Sequence, residues 1–261
     1  MKATRTNRAL FRFYAELNDF LNKTQQALVS YAFDGHPAIK DAIEAQGIPH
    51  TEVDLLLANG VSVGFDYQLQ DDDRISVYPV FESFDIQPLV RLRQAPLREL
   101  RFAVDVNLGK LARWLRLLGF DVLYRNDYDD AELARIAAEQ SRVVLTRDRR
   151  LLHRKEISHG YWVRSVDPDE QVEEVLHRFQ LERLVRPFHR CLSCNGRVHP
   201  VAKSQILDKL EPKTRRYYDE FHQCESCLKV YWKGPHYVRL KEKLVCFSTE
   251  PPLALAARQY S

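Results

Sequence analysis

The sequence predicts a multidomain chain, an α+β fold followed by an α/β fold and closed by a small cysteine-bound segment. Three observations predict it. Up to about residue 80, alternating and β-branched stretches surround one short helical pattern, the order of a sheet with a helix on one face. From Arg101 to Arg150, the apolar runs Phe102-Ala103-Val104 and Val143-Val144-Leu145 do not alternate, and helical patterns lie between them. Such runs suit parallel strands buried on both faces, joined by helical crossovers. Finally, four of the five cysteines stand in two C-x-x-C pairs, Cys191/Cys194 and Cys224/Cys227.

Composition narrows the classes. A chain of 261 residues has room for two or three small domains with cores of their own. No run of about 18 uncharged apolar residues occurs, so no membrane span is expected. Met1 to Arg12 is polar and basic without an apolar core, so no secretory signal is expected. Paired C-x-x-C spacing points to metal binding in a reducing compartment rather than to disulfides, and the expected location is cytoplasmic. Charge is uneven. Residues 1–90 carry 7 Lys/Arg against 13 Asp/Glu, and residues 91–261 carry 32 against 23. A basic part behind an acidic part is compatible with a polyanionic substrate for the later domains, and equally with solubility alone.

In the first domain, Leu10 to Tyr14 reads as a strand, Leu17 to Phe20 as a turn, and Ala27 to Phe33 as a second strand. A short helix spans Ala38 to Gln46 and Gly47 stops it. Val53 to Leu57 is a strand, Asn59-Gly60 a hairpin turn and Val61 to Val63 the returning strand. Asp71-Asp72-Asp73 is a polar turn before an alternating strand from Arg74 to Val80. Leu56 to Gly60 followed by Asp73 to Pro79 resembles the β-grasp fold of ubiquitin and the small sulfur carriers. Those carriers end on an activated Gly-Gly tail. Here the chain runs on through Phe81 to Phe84 without one, so the expected role is docking or substrate positioning, with a protein partner for this domain conceivable.

A linker is expected from Gln87 to Leu97. Asp105 ends the next strand, and a helix runs from Leu108 to Leu118 with Leu111, Trp114, Leu115 and Leu118 on its core stripe. Lys110, Arg113 and Arg116 fall off that stripe. Phe120 to Tyr124 is the following strand. Asp130 precedes the helix Ala131 to Glu139, where it can act as a cap, present its carboxylate to a site, or do both. Asp148 follows the strand Val143 to Leu145, and its plain role is a turn. Carboxylates gathered at strand ends repel one another unless a cation joins them, and hard ions such as Mg²⁺ take oxygen ligands. Arg147, Arg149 and Arg150 are either a solvated run or phosphate-gripping groups. His153 and His159 qualify as bases by type only.

The runs Phe102 to Asp105, Leu108 to Phe120 and Leu145 to Asp148 resemble the Mut-seven C-terminal RNase family, compact relatives of the PIN nucleases. The resemblance extends from about residue 8 to about residue 240 and implies a β-grasp domain over 1–90, a PIN-like α/β nuclease domain over 98–180 and a zinc ribbon over 186–240. It also implies a metal-dependent ribonuclease, with Asp105, Asp130 and Asp148 holding Mg²⁺ or Mn²⁺. Asp127 and Asp167 are possible fourth acids. Lys110, Arg113 and Arg147 would bind the RNA backbone, single-stranded or structured. The rival is a non-catalytic RNA- or ribosome-binding adaptor that keeps the nuclease shape. A sulfur-transfer accessory is disfavoured by the missing Gly-Gly.

In the last part, Glu170 to Phe179 is helical. Between the C-x-x-C pairs lie 29 residues, wider than the commonest spacing, so the insert has room for its own structure. Four thiolates make a closed tetrahedral zinc site, a structural one that substitutes for the core so short a segment lacks. His189, His199 and His222 then stay outside the metal's shell, and Cys246 has no evident role. Lys229 to Tyr237 interleaves bases and aromatics, a pattern of nucleic-acid surfaces as well as of packed ribbon strands.

Overall fold

A computed structural model describes residues 6–21, 28–79, 100–244 and 247. In chain order its first strands and helix are β1 (Asn7–Phe13), β2 (Leu28–Phe33), α1 (Ile39–Ala45), β3 (Val53–Ala58), β4 (Val61–Val63) and β5 (Arg74–Pro79). Then follow β6 (Arg101–Val104), α2 (Gly109–Leu117), β7 (Asp121–Leu123), α3 (Asp130–Glu139), β8 (Val143–Thr146), α4 (Arg149–Leu152), β9 (Gly160–Trp162) and α5 (Pro168–Arg178). The last are β10 (Val198–Val201), α6 (Pro212–Tyr217), β11 (Phe221–Cys224), β12 (Val230–Trp232) and α7 (Pro235–Leu244). No helix among the described residues is long and apolar enough to cross a membrane. The chain divides into two compact units, one of Met1–Glu99 with Asp130–Trp162, the other of Leu100–Asp129 with Val163–Ser261. Residues 130–162 thus cluster with the N-terminal part.

The first unit opens with a five-stranded mixed sheet in the order β2-β1-β5-β3-β4, the β-grasp arrangement. β1 pairs antiparallel with β2 and parallel with β5. Alternation in β1 sends Ala9, Phe11 and Phe13 inward, and α1 meets them with Ile39, Ala42 and Ile43, the one stripe a short helix can bury. The Asn59-Gly60 turn has φ of 52° and 85°, the left-handed pair that lets β3 and β4 close without splaying. The expected polar turn before β5 is more than polar. Asp73 is buried and accepts from Asn59 Nδ2 at 2.8 Å, Gln70 N at 2.8 Å and the Tyr67 hydroxyl at 3.1 Å.

The same unit contains α3, β8, α4 and β9, with β8 and β9 paired in parallel and β8 buried along its length. The Arg149 guanidinium lies over the Trp162 ring at 3.8 Å and the Phe20 ring at 4.9 Å, and it donates to the carbonyls of Asp19 and Phe20. Trp162 N donates to Glu52 Oε1 at 2.7 Å. His50 bonds Glu44 Oε1 through Nδ1 at 2.6 Å and the Ile157 carbonyl through Nε2 at 3.1 Å. Both partners are acceptors.

In the second unit, β6 and β7 pair in parallel. The helix expected over Leu108 to Leu118 is α2, which opens at Gly109 and is preceded by a single tight turn, Val106–Leu108. Leu111 and Leu115 are fully buried as expected. Arg116, expected off the core stripe, is instead only 4% exposed. β10, β11 and β12 form a three-stranded antiparallel sheet. Val80, the run Phe81 to Phe84, the linker Gln87 to Leu97, Cys246 and residues 250–261 lie outside the described residues.

Candidate metal centre and acidic strand ends

The cysteine centre is built from two matching turns. Cys191 N donates to the Gly196 carbonyl at 2.8 Å and Asn195 N to the Cys191 carbonyl at 2.9 Å; Cys224 N donates to Lys229 at 3.0 Å and Leu228 N to Cys224 at 3.1 Å. Asn195 and Leu228, each following the second cysteine of its pair, take φ of 71° and 60°, which folds the backbone over the sulfurs. A Cβ on Gly196 would meet Cys224 Sγ at 2.8 Å and Ser226 Oγ at 2.5 Å, so only glycine lets the knuckle approach that closely.

The four sulfurs all lie within 4.8 Å of one another, with Cys191 and Cys227 3.6 Å apart and Cys194 and Cys224 3.4 Å apart. Tetrahedral zinc with bonds of about 2.3 Å places its sulfurs roughly 3.8 Å apart, so this donor set fits a zinc ion. Among the described residues it is the one group of three or more Cys, His, Asp or Glu ligand atoms so close together. The Tyr231 hydroxyl lies 3.0 Å from Cys191 Sγ, a contact that the cysteine spacing does not signal. Burial alone would push the Cys191 thiol up, but bonds from Tyr231 and from the Cys194 and Ser193 backbone draw it down to about 6. The same thiolate, with burial as the larger cause, holds the Tyr231 phenol above its ordinary 10, so Tyr231 stays a donor.

Arg116 ties this centre to β7. Its Nε donates to Val122 O at 2.9 Å, Nη2 to Tyr124 O at 3.2 Å, and Nη1 to Ser193 O at 3.1 Å and Leu192 O at 3.3 Å. Burial lowers the guanidinium's pKa, and the Cys191 and Cys194 sulfurs and Asp121 oppose that. Asn195 adds a second tie, accepting from Val122 N at 2.9 Å and donating to Asp121 Oδ1 at 2.9 Å. An Asn after a C-x-x-C pair is a readable signal for a left-handed turn. Nothing in the helix pattern separates Arg116 from Arg113.

The three candidate acids stand at element ends. Asp105 follows β6, is 5% exposed, and accepts from Asn107 Nδ2 at 3.3 Å through Oδ2. Asp148 caps α4, its Oδ1 accepting from Arg150 N at 2.8 Å, which is the Asx-type role read from the sequence. Asp130 lies inside α3 as its first residue rather than before it, where its carboxylate still favours the positive helix end. Asp105 belongs to one unit, Asp130 and Asp148 to the other. Asp127 is exposed and paired with Arg125, and Asp167 caps α5 by accepting from Asp169 N and Glu170 N. Those partners account for both acids locally. Lys110 and Arg113 are exposed on α2, while Arg147 is half-buried between Thr146 and Asp148. Arg149 is held by the Phe20 and Trp162 rings, so its place among phosphate-gripping arginines is taken by a packing role. His159 Nδ1 meets Ser158 Oγ at 3.0 Å.

Two family models match the chain. One, described as the Mut7-C RNAse domain, covers residues 100–244, and another, described as Mut7-C ubiquitin, covers residues 6–85. No curated protein and no solved structure matches.

Proposed function

Because the chain belongs to the Mut7-C RNAse family, whose domain model spans more than half of it, we propose that it is a divalent-metal-dependent ribonuclease acting on RNA phosphodiesters. The observation that carries this reading is Asp105. A carboxylate 5% exposed at the C-terminal end of a parallel strand sits where α/β sheets place their ligand sites. The exposed cations Lys110 and Arg113 follow it on α2.

In this reading Asp105, Asp130 and Asp148 would hold a Mg²⁺ or Mn²⁺ ion, hard carboxylate oxygens being the donors such ions take. When bound, such an ion lowers the pKa of a coordinated water and offsets charge on the phosphoryl group. The chain's own residues do the rest. Asn107 orients the Asp105 carboxylate through its Nδ2 donor. The α4 cap fixes Asp148 through Oδ1 and leaves Oδ2 outside the cap. Lys110, Arg113 and Arg147 would neutralise backbone phosphates, which makes affinity fall with salt. The four cysteines would hold a structural zinc ion, four thiolates leaving no coordination position for substrate.

Cleavage of single-stranded RNA should require Mg²⁺ or Mn²⁺ and stop when the ion is withheld. Asp105→Asn and Asp148→Asn should each abolish cleavage and leave RNA binding largely intact. Lys110→Ala and Arg147→Ala should weaken binding most at higher salt. RNA binding without cleavage of any substrate, with Asp105→Asn behaving as the parent, would leave a non-catalytic RNA-binding adaptor as the function.

A further inference from the structure

The insert between the cysteine pairs contains a helix that folding does not explain. α6 buries none of its residues. A helix of six residues is too short to be stable by itself, and this one contributes no fully buried side chain to a core. It presents Lys213, Arg215, Arg216 and Tyr217, all of them exposed, with Tyr217 67% accessible. Lys213 and Tyr217 are four apart and share a helix face. The Arg216 guanidinium lies 5.6 Å from the Tyr217 ring centre. Tyr218 then turns into extended backbone, and its ring lies 6.4 Å from Trp232 at 52°. Trp232 ends β12 and is 38% exposed.

Cations outnumber acids along α6 itself. From Lys209 to Arg216 there are four cations and one acid, Glu211. The two acids that follow Tyr218 are already matched, Asp219 by Lys203 and Glu220 by Lys233, each at 2.7 Å. Exposed rings interleaved with unmatched cations suit a chain that offers flat bases and a phosphate backbone together. An apolar protein partner would instead ask for an aliphatic centre, and α6 has none.

We propose that Tyr217, Tyr218 and Trp232, with Lys213, Arg215 and Arg216, form a stacking platform for unpaired RNA bases, separate from the acidic residues assigned to cleavage. The platform rests on the reading of RNA as substrate and would hold a single-stranded stretch of the molecule being cut.

The test uses the full, zinc-loaded chain without added Mg²⁺ or Mn²⁺, so that binding is read apart from cleavage. The probe is a fluorescein-labelled oligouridylate of about 12 nucleotides, within the roughly 4–16 that such platforms span, followed by anisotropy. Tyr217→Ala and Trp232→Ala should each weaken binding roughly fivefold or more, the lower end for loss of one base–aromatic stack. Trp232→Phe should restore most of the affinity. Zinc content equal to the parent's shows that the ribbon is intact, and Tyr217, which packs little, keeps the test valid if Trp232→Ala unfolds it. Arg215→Ala with Arg216→Ala should flatten the salt dependence by about 0.7 per lost phosphate contact. A duplex of equal length should bind the parent less tightly and be indifferent to Tyr217→Ala.

Unchanged affinity in both ring variants would overturn the platform. So would an equal loss for the duplex, which would leave only a charged patch. Ring variants that lose binding while Asp105→Asn cleaves normally would sink the nuclease assignment and keep the platform. Normal ring variants beside a dead Asp105→Asn would do the opposite.

Discussion

Arg116 is the residue whose role the sequence conceals. Lys110, Arg113 and Arg116 share one helical spacing, yet the first two are exposed and the third is buried with its guanidinium on four carbonyls. Arg116→Ala should cost roughly 3 kcal/mol, because it strands several buried acceptors at once. Arg116→Lys should not rescue it, since an ammonium cannot span carbonyls so far apart. Denaturant titration of both variants would check this, and equal stability of Arg116→Ala and the parent would contradict the role. Toward acid pH the first unit responds through His153 and Glu44. Burial, the larger cause, and His50 hold His153 below its ordinary 6.5, against the pull of Glu44. Burial would raise Glu44, but its bond and attraction to His50, with Lys40 and His153, bring it below 4.5. Both groups bind protons more weakly when folded, so stability is lost as pH falls, first below 6.5 through His153 and then below 4.5 through Glu44. Melting temperature against pH should show the first step disappear in His153→Gln.

At the scale of elements, the metal centre was the most legible part. Cysteine spacing alone specifies four donors, because two C-x-x-C turns are sufficient to present them, and the sulfurs do converge. Cys191→Ser or Cys224→Ser should lose zinc from a parent containing about one ion per chain. Gly196→Ala should also weaken metal retention, since its Cβ would press on Cys224 Sγ. The added consequence lies in β7. Removing zinc should loosen the knuckle carbonyls that Arg116 and Asn195 hold, so β7 amides should exchange faster in the stripped protein. Exchange confined to residues 186–244 would deny that coupling. The β-grasp sheet was legible because alternation and the Asn59-Gly60 turn both depend on local geometry. The acids were legible only as positions. A strand-end Asp reads the same whether it caps, as Asp148 does, or is almost wholly buried, as Asp105 is. The start of α3 was misplaced by one residue because Asp129 and Asp130 are equally good capping types.

At the scale of the whole molecule, residues 130–162 group with the N-terminal part of the chain. No local pattern announces that, because it depends on side chains far apart in sequence. Phe20, Glu52 and His50 meet Arg149, Trp162 and Ile157 only after folding. A fragment of residues 1–90 should therefore melt lower than the first unit does in the full chain, and Arg149→Ala should lower the unit's melting temperature without affecting zinc content. A fragment as stable as the intact chain would show that these contacts contribute nothing.

That grouping also sets a timetable. A ribosome emits the five strands of the β-grasp sheet well before the segment that seats against Phe20 and Glu52. Between Pro79 and Arg149 lie about 70 residues, roughly 4 to 14 seconds of synthesis at ordinary elongation rates. For that interval Phe20 waits without the Arg149 and Trp162 side chains that lie against its ring in the folded unit. Slowed translation over this stretch should increase capture by chaperones, and a silent change of codons, with every residue kept, is enough to reveal it.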